Sequence, residues 1–361
     1  MQIDLIFQKS LNFDKISSAE ALFLYKNAPL TTLMFYANQL RKKIHNNNYV
    51  SYIIDRNINY SNICSSKCMF CNFCRNSNEE DAYTLSINDF IPKIDELYKK
   101  GGNQILLQGG MNPNIGTDYY TNLFKSLKKK YSGLKLHALS PPEIVYLAKK
   151  ENLPFEQIII KLQNAGLDSI PGGGAEILSD RVRKIISPAK CTTDEWLKVM
   201  HAAHKLNITT SATMMFGHIE TPEERMEHLC LLRDTQNRKP KTAKGFISFT
   251  LWPLAGNNTK LLKKFSDIKP IYADEYIKML AISRLVLNNI PNIQVSWLTM
   301  GKEVAGVCLF AGANDLSSIM IEENVLLSAG KNYKMNQTDI EKMIKSLRLK
   351  PMKRNQEYEK L

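Results

Sequence analysis

Short β-branched or apolar runs, each closed by Gly, Pro or Asn, alternate along this chain with longer segments in which apolar residues recur at spacings of three and four. The runs predict strands at Tyr52–Asn57, Gln104–Gln108, Lys135–Leu139, Asp168–Pro171, Thr209–Phe216, Gly245–Trp252, Ile293–Leu298 and Val307–Ala311. Ile87–Lys100, Tyr119–Lys129 and Phe155–Asn164 read as amphipathic helices. Two further helices are marked by their starts. Thr192 with Glu195 forms a capping box, and Thr221-Pro222-Glu223-Glu224 adds proline at the first helical position, where a missing N–H costs nothing. Eight βα units of this spacing suit a closed parallel barrel, an α/β (β/α)8 TIM-type fold with its chemistry on the loops after each strand. Ser18–His45 reads as N-terminal helices and Glu322–Leu347 as a C-terminal helical layer. The expected division is 1–48 N-terminal helices, 49–318 barrel and 319–361 C-terminal helical extension.

Composition narrows the class. With 361 residues and 44% hydrophobic content, the chain can bury a sizeable core. It shows no apolar stretch of membrane-spanning length and no signal-peptide pattern at its start, so a cytoplasmic location is expected. The net charge of +13 is dispersed, with short lysine runs only at 128–130 and in the tail. That reads as a solvated basic surface, and a basic rim also suits an acidic electron donor such as a flavodoxin. Nucleic-acid binding would call for clustered basic and stacking residues, which are missing.

Four of the seven cysteines crowd into the segment 64–74, which points to a metal and away from a disulfide scaffold. Cys64, Cys68 and Cys71 follow the first predicted strand, where the first active-site loop of a barrel belongs. Thiolates at this spacing can hold three corners of a 4Fe–4S cluster and leave the fourth iron open. An open iron can chelate the amino and carboxylate groups of S-adenosylmethionine, whose reductive cleavage yields a 5′-deoxyadenosyl radical. The alternative is a four-cysteine zinc or electron-transfer site that uses Cys74. Zinc knuckles usually pair their cysteines as two separated couples, and no second couple accompanies Cys191, Cys230 or Cys308. Phe70 is placed to shelter the cluster and border the adenine.

Other candidates stand at strand ends. The paired glycines of Gln108-Gly109-Gly110 suit close approach of backbone to the cofactor. His137, Ser140 and Glu143 follow the third strand, and Pro171-Gly172-Gly173-Gly174-Ala175-Glu176 the fourth, with Arg181 beyond. Glu143 serves equally well as a helix-capping group or as a ligand of ribose hydroxyls or substrate, whereas the triple glycine before Glu176, which implies close approach of backbone to a ligand, favours the functional reading there. Arg181 suits a carboxylate of cofactor or substrate. Met215, Phe216, Trp252 and Trp297 suit a dry cavity at the mouth.

Asn57-Ile-Asn-Tyr60-Ser-Asn-Ile-Cys64, Leu136-His137-Ala-Leu-Ser140-Pro-Pro-Glu143, Asp168-Ser-Ile-Pro-Gly-Gly-Gly-Ala-Glu176 and Gly312-Ala-Asn-Asp315 through Asn324 together resemble the cyclic dehypoxanthine futalosine synthase family of radical S-adenosylmethionine enzymes. The likeness runs from about 17 to 330. Aminofutalosine synthase and the deazaflavin-forming synthases share the cysteines and the barrel, and are the sister alternatives. The resemblance implies a nucleoside-like small-molecule substrate in the futalosine route to menaquinone. It also implies abstraction of the ribose 4′ hydrogen, addition of the resulting radical to the tethered benzoate ring, and loss of a proton and an electron. Glu143, His137 and Asp315 are the candidate proton acceptors. Three departures from the family pattern, at Asn72–Cys74, Met300 and Leu316-Ser317, are expected to lie near the substrate.

Overall fold

The protein is described by a computed structural model covering residues 2–256, 258–328, 330 and 334–361. Its strands are β1 Tyr49–Ile53, β2 Asp55–Ile58, β3 Gln104–Leu107, β4 Lys135–Ala138, β5 Ser169–Ile170, β6 Thr209–Phe216, β7 Phe246–Pro253, β8 Asn292–Val295, β9 Asp315–Ser318 and β10 Lys350–Lys353. All pairings between these strands are parallel, in the order β10-β1-β9-β8-β7-β6-β5-β4-β3-β2. Only Ile54 separates β1 from β2. β1 pairs with β9 and β10 while β2 pairs with β3, so one extended segment meets both sides of the sheet. The sheet thereby curls into a TIM-like α/β barrel, and beyond β9 the Ile319 N–H donates to Ile53 O at 3.1 Å along the seam.

Alternation along the strands sorts side chains between two environments. Asp55 and Asn57 of β2, Gln104 and Leu106 of β3, Ser211, Thr213 and Met215 of β6, and Ser248, Thr250 and Trp252 of β7 line an interior cavity. Ile105, Leu107, Ala212, Met214, Phe249 and Leu251 point the other way and are buried under the surrounding helices. Both expected helix starts are present as capping boxes, Thr192 with Glu195 and Thr221 with Glu224. The N-terminal helices Gln2–Leu11, Ser18–Asn27 and Leu30–Ile44 pack on the helix Ala273–Val286, to which Ser10 Oγ donates through Leu285 O at 2.8 Å.

The eighth predicted strand is a correction. Val307–Ala311 ends a helix and its turn, and the strand is β9, a few residues later. The apolar run at 307–311 packs as a helix end, with Cys308 and Ala311 buried. The four residues of β9 carry little apolar signal, because Asp315 and Ser318 find polar partners inside the barrel. The C-terminal extension is also more than helical. After Asn324–Ser328 and Gln337–Ser346, β10 lies alongside β1, and positions 329 and 331–333 of the predicted helical layer fall outside the described residues.

The tail after β10 turns into the end of the barrel opposite the cysteine loop. Arg354 reaches the Asp315 carboxylate through Nε at 2.5 Å and Nη2 at 3.0 Å, and its guanidinium lies 3.8 Å over the Tyr358 ring. Gln294 Nε2 donates to Tyr358 Oη at 2.8 Å and Gln104 Nε2 to Gln356 Oε1 at 3.0 Å. Both members of the ion pair are buried. Asp315→Ala should therefore leave an uncompensated buried guanidinium and cost roughly 3–5 kcal/mol. Urea denaturation followed by circular dichroism tests this; a loss below about 1 kcal/mol, the range of an exposed pair, would show that the pair does not anchor the tail.

Candidate active site

The cysteine loop leaves β2 at the mouth of the barrel and is held by its own base. Ser61 bridges Thr84 and Ile63 bridges Arg75, while Asn62 donates to Asp81 O and accepts from the Tyr83 N–H, both at 2.8 Å. Within this frame Ser66 Oγ lies 3.2 Å from Cys64 Sγ and 3.3 Å from Cys68 Sγ, and the Met111 N–H points to Cys64 Sγ at 3.4 Å. Cys64, Cys68 and Cys71 all line the cavity. Cys74 lines it too, but its thiol donates to Cys64 O at 3.2 Å, and burial pushes it up to about 11 with the neighbouring thiols adding to the shift. Three thiols that line one cavity, two of them met by N–H or hydroxyl groups, suit a 4Fe–4S cluster, which Cys64, Cys68 and Cys71 would hold.

Behind this loop, Gly109 and Gly110 are required by protein contacts. A Cβ on Gly110 would stand 2.1 Å from Ile63 O, and one on Gly109 2.8 Å from the Tyr60 ring. The glycines thus let the loop after β3 pack against the cysteine loop while still lining the cavity beside Gln108. Glu143 holds the arrangement from below. Its Oε1 accepts from Tyr60 Oη at 2.7 Å and Gly109 N–H at 3.2 Å, and its Oε2 from the Ser140 N–H at 2.7 Å and Ser140 Oγ at 2.6 Å. Burial raises its pKa above the usual carboxylate range despite these four donors. Glu143 is therefore both the capping residue of the helix Pro141–Glu151 and a strut under Gly109.

Glu176 sits in a left-handed turn (φ 42°) and pairs with Lys190 at 2.7 Å. Burial opposes its charge, but Lys190 and Arg183 outweigh burial and hold the carboxyl below its ordinary range. Lys190 also lies 5.3 Å over the Phe70 ring and is held charged by Cys68 and Glu176 against the cost of burial. Nothing in the Pro188-Ala-Lys190 pattern marked this lysine, since its role follows from the loop that folds back over the cysteines. Arg181, by contrast, is half exposed, grips Glu224 at 2.6 Å and does not line the cavity.

The cavity holds about 440 Å³, and Met215, Trp252, Leu298 and Val295 are among the apolar residues that line it. His137 lines it with Nδ1 tied to Ser169 Oγ at 2.7 Å, and burial, helped by Arg354, pushes the imidazole down to about 3. Asp315 lies behind the lining, locked to Arg354 and bonded by Ser51 Oγ at 2.5 Å. Asp55, not singled out in the sequence, does line the cavity. Burial pushes it up to about 6 against the opposing effects of Ser318, Arg354 and Gln104. Of the departures from the family pattern, Asn72, Cys74 and Ser317 line the cavity, whereas Met300 and Leu316 pack behind it.

Residues 58–232 match the model of the radical SAM superfamily, and residues 243–361 match the CofH/MqnC C-terminal region. Among solved structures, methylornithine synthase superposes with a TM-score of 0.70 at 17% identity over 96% of this chain and 97% of that one. The maturase HydG of Carboxydothermus hydrogenoformans gives 0.72 at 15% identity over 99% and 80%. Fold and matched regions together define a radical SAM enzyme. Cyclic dehypoxanthine futalosine synthase of Halalkalibacterium halodurans is 38% identical over 99% of this chain and 95% of its own, and that of Streptomyces coelicolor 38% over 96% and 86%. The 5-amino-6-(D-ribitylamino)uracil–L-tyrosine 4-hydroxyphenyl transferase of Microcystis aeruginosa is 36% identical over 90% and 89%. The chain belongs to the cyclic dehypoxanthine futalosine synthase family. No helix among the described residues is long and apolar enough to cross a membrane.

In anaerobically reconstituted protein, Cys64→Ala, Cys68→Ala and Cys71→Ala should each lose the cluster, and Cys74→Ala should keep it, by iron and sulfide content and visible absorption. Loss with Cys74→Ala and retention with one of the others would reverse the ligand set. Glu176→Gln should weaken S-adenosylmethionine binding by roughly tenfold or more, because it frees Lys190 from its carboxylate and removes charge-assisted bonds. Isothermal titration of the cluster-loaded variant decides this; unchanged affinity would move Glu176 to the substrate side.

Proposed function

We propose that the protein cyclises dehypoxanthine futalosine, joining the ribose 4′ carbon to the benzoate ring, as a step of menaquinone biosynthesis. The observation that carries this reading is full-length likeness at 38% identity to two synthases of that name, on a chain whose three cysteines line the barrel cavity. Cys64, Cys68 and Cys71 would hold the 4Fe–4S cluster. The backbone of Gly109 and Gly110, with Gln108, Ser140, Phe70 and the Lys190–Glu176 pair, would border S-adenosylmethionine. When bound, cluster and cofactor supply the 5′-deoxyadenosyl radical that takes the ribose hydrogen. An acidic flavodoxin-like protein would dock on the basic surface and supply the electron to the cluster.

The chain's own work is to position the substrate, exclude water and take up a proton. Met215, Trp252 and Leu298 make the walls dry, which limits side reactions of a carbon radical. Restoring aromaticity after ring closure releases a proton and an electron, and the bound cluster would be the group that takes the electron back. Glu143 already accepts four hydrogen bonds, and Asp315 is locked to Arg354. His137, pushed down to about 3, stays neutral and meets the substrate as a hydrogen-bond partner. Asp55 lines the cavity in no ion pair among the described residues, and burial pushes it up to about 6, so the reading gives it the proton.

With substrate deuterated at the ribose 4′ position, the label should appear in 5′-deoxyadenosine, formed in about equal amount to the cyclised product. Cofactor cleavage with neither label transfer nor product would make the substrate assignment wrong. Because a base must be deprotonated to act, the ratio of product to 5′-deoxyadenosine should rise as pH rises through about 6, the Asp55 value, and Asp55→Asn should flatten that rise while label transfer persists. An unchanged profile in Asp55→Asn would remove Asp55 as the acceptor.

A further inference from the structure

The lower cavity contains buried acceptors for which the protein supplies no donor. Asn57 Oδ1 and Gln104 Oε1 have no hydrogen-bond partner, although Asn57 is 5% and Gln104 2% exposed and both line the cavity. Their orientations are set by what the amide nitrogens do. Asn57 Nδ2 donates to Glu323 Oε2 at 3.0 Å, and Gln104 Nε2 donates to Gln356 Oε1 at 3.0 Å and more weakly to Asp55 Oδ2 at 3.4 Å. Turning either amide over would set oxygen against oxygen. The two side chains also stand together: Asn57 is two residues from Asp55 on β2, on the same inward face, and Asp55 is in register with Gln104 on β3.

This corner of the site is rich in acceptors and asks for a ligand that brings donors. The parts of the proposed substrate differ sharply in that respect. A benzoate carboxylate offers only lone pairs and would be repelled by Asp55, while the nearby Arg354 is already held by the Asp315 carboxylate at two of its nitrogens; ribose hydroxyls offer O–H donors. Resting on the cyclase reading, we propose that Asn57 Oδ1 and Gln104 Oε1, beside Asp55, form a hydroxyl-recognition subsite that takes the ribose of the substrate. The sugar then lies against β2 and β3 with its 4′ carbon turned toward the cysteine loop, and the benzoate carboxylate is directed away from Asp55.

The test pairs substrate and protein changes on the cluster-loaded enzyme with S-adenosylmethionine present. Dehypoxanthine futalosine and its 2′-deoxy and 3′-deoxy analogues are titrated calorimetrically into wild type, Gln104→Met and Asn57→Ser. At least one deoxy analogue should bind wild type roughly ten- to a hundredfold more weakly than the parent, because it leaves buried acceptors unpaired. That penalty should shrink to a few-fold in one variant, since the acceptor that made it costly is gone. Equal penalties in wild type and in both variants, with iron content and circular dichroism unchanged, would overturn the subsite. Tight binding of both analogues by wild type would overturn it as well. No binding of the parent compound by wild type would instead overturn the substrate reading and the ribose assignment with it.

Discussion

A guanidinium inside a barrel is tolerable only if a carboxylate meets it in good geometry, and the Arg354–Asp315 pair satisfies that constraint where the cavity has its floor. The pair joins β9 to the segment after β10, so it ties the tail of the chain into the ring of strands. With Arg354 in place, Tyr358 can lie against its guanidinium and reach Gln294, and Gln356 can reach Gln104. The far end of the barrel is thereby closed by side chains from a single short stretch. Closure matters because a radical generated near the cysteine loop must meet only its substrate, and a cavity open at both ends would admit solvent. The same pair shapes its neighbours' charge, helping to keep His137 neutral and tempering the rise of the Asp55 pKa.

Much of the barrel was legible because the physics that builds it repeats. β6 was read to its exact ends, and β7 within a residue at each, from runs long enough to show apolar residues bound for the helical layer alternating with others bound for the cavity. β9 and β10 were not legible. β9 has four residues, and its inward members are an aspartate and a serine whose partners come from positions 354 and 55, far off in sequence. β10 is Lys-Pro-Met-Lys, which carries no strand signature, and it forms only because β1 offers it an edge beside the barrel seam. Tertiary context overrides propensity most easily in strands this short.

The site divides the same way. The cysteine motif was legible because its three members lie within one loop, which the structure sets over the cavity, and spacing alone suggests their chemistry. Lys190 and Asp55 were not, since a lysine after a proline and an aspartate at the start of a strand mean nothing until the fold brings them to Glu176 and Gln104. The double glycine was read as a place where backbone approaches the cofactor, and what excludes a Cβ there in the fold is protein, Ile63 and Tyr60. Those contacts connect Glu143 to the cysteines: Glu143 holds Tyr60 and Gly109, and Gly110 abuts the backbone that carries Cys64. A residue read as a candidate base thus supports the loop on which the cluster would sit.

From mouth to floor the lining changes from thiols and an ammonium, through sulfur and indole, to a corner of oxygen acceptors. Such a gradient orients an elongated ligand without any single dominant contact, because each portion is penalised in the wrong zone: a hydroxyl is left unpaired among Met215 and Trp252, and an aryl ring leaves Asn57 and Gln104 unsatisfied. It also limits how this chain can differ from its relatives. Met300 and Leu316 pack behind the lining, so their effect on the ligand must pass through the position of Thr299 or Ser317, which do face it. Asn72 and Cys74 face it directly at the mouth, where a substitution alters the space beside the cysteines and leaves the acceptor corner untouched. Changes of that kind adjust the space around the cofactor, and they leave unchanged the acceptors on β2 and β3 to which the ribose is assigned.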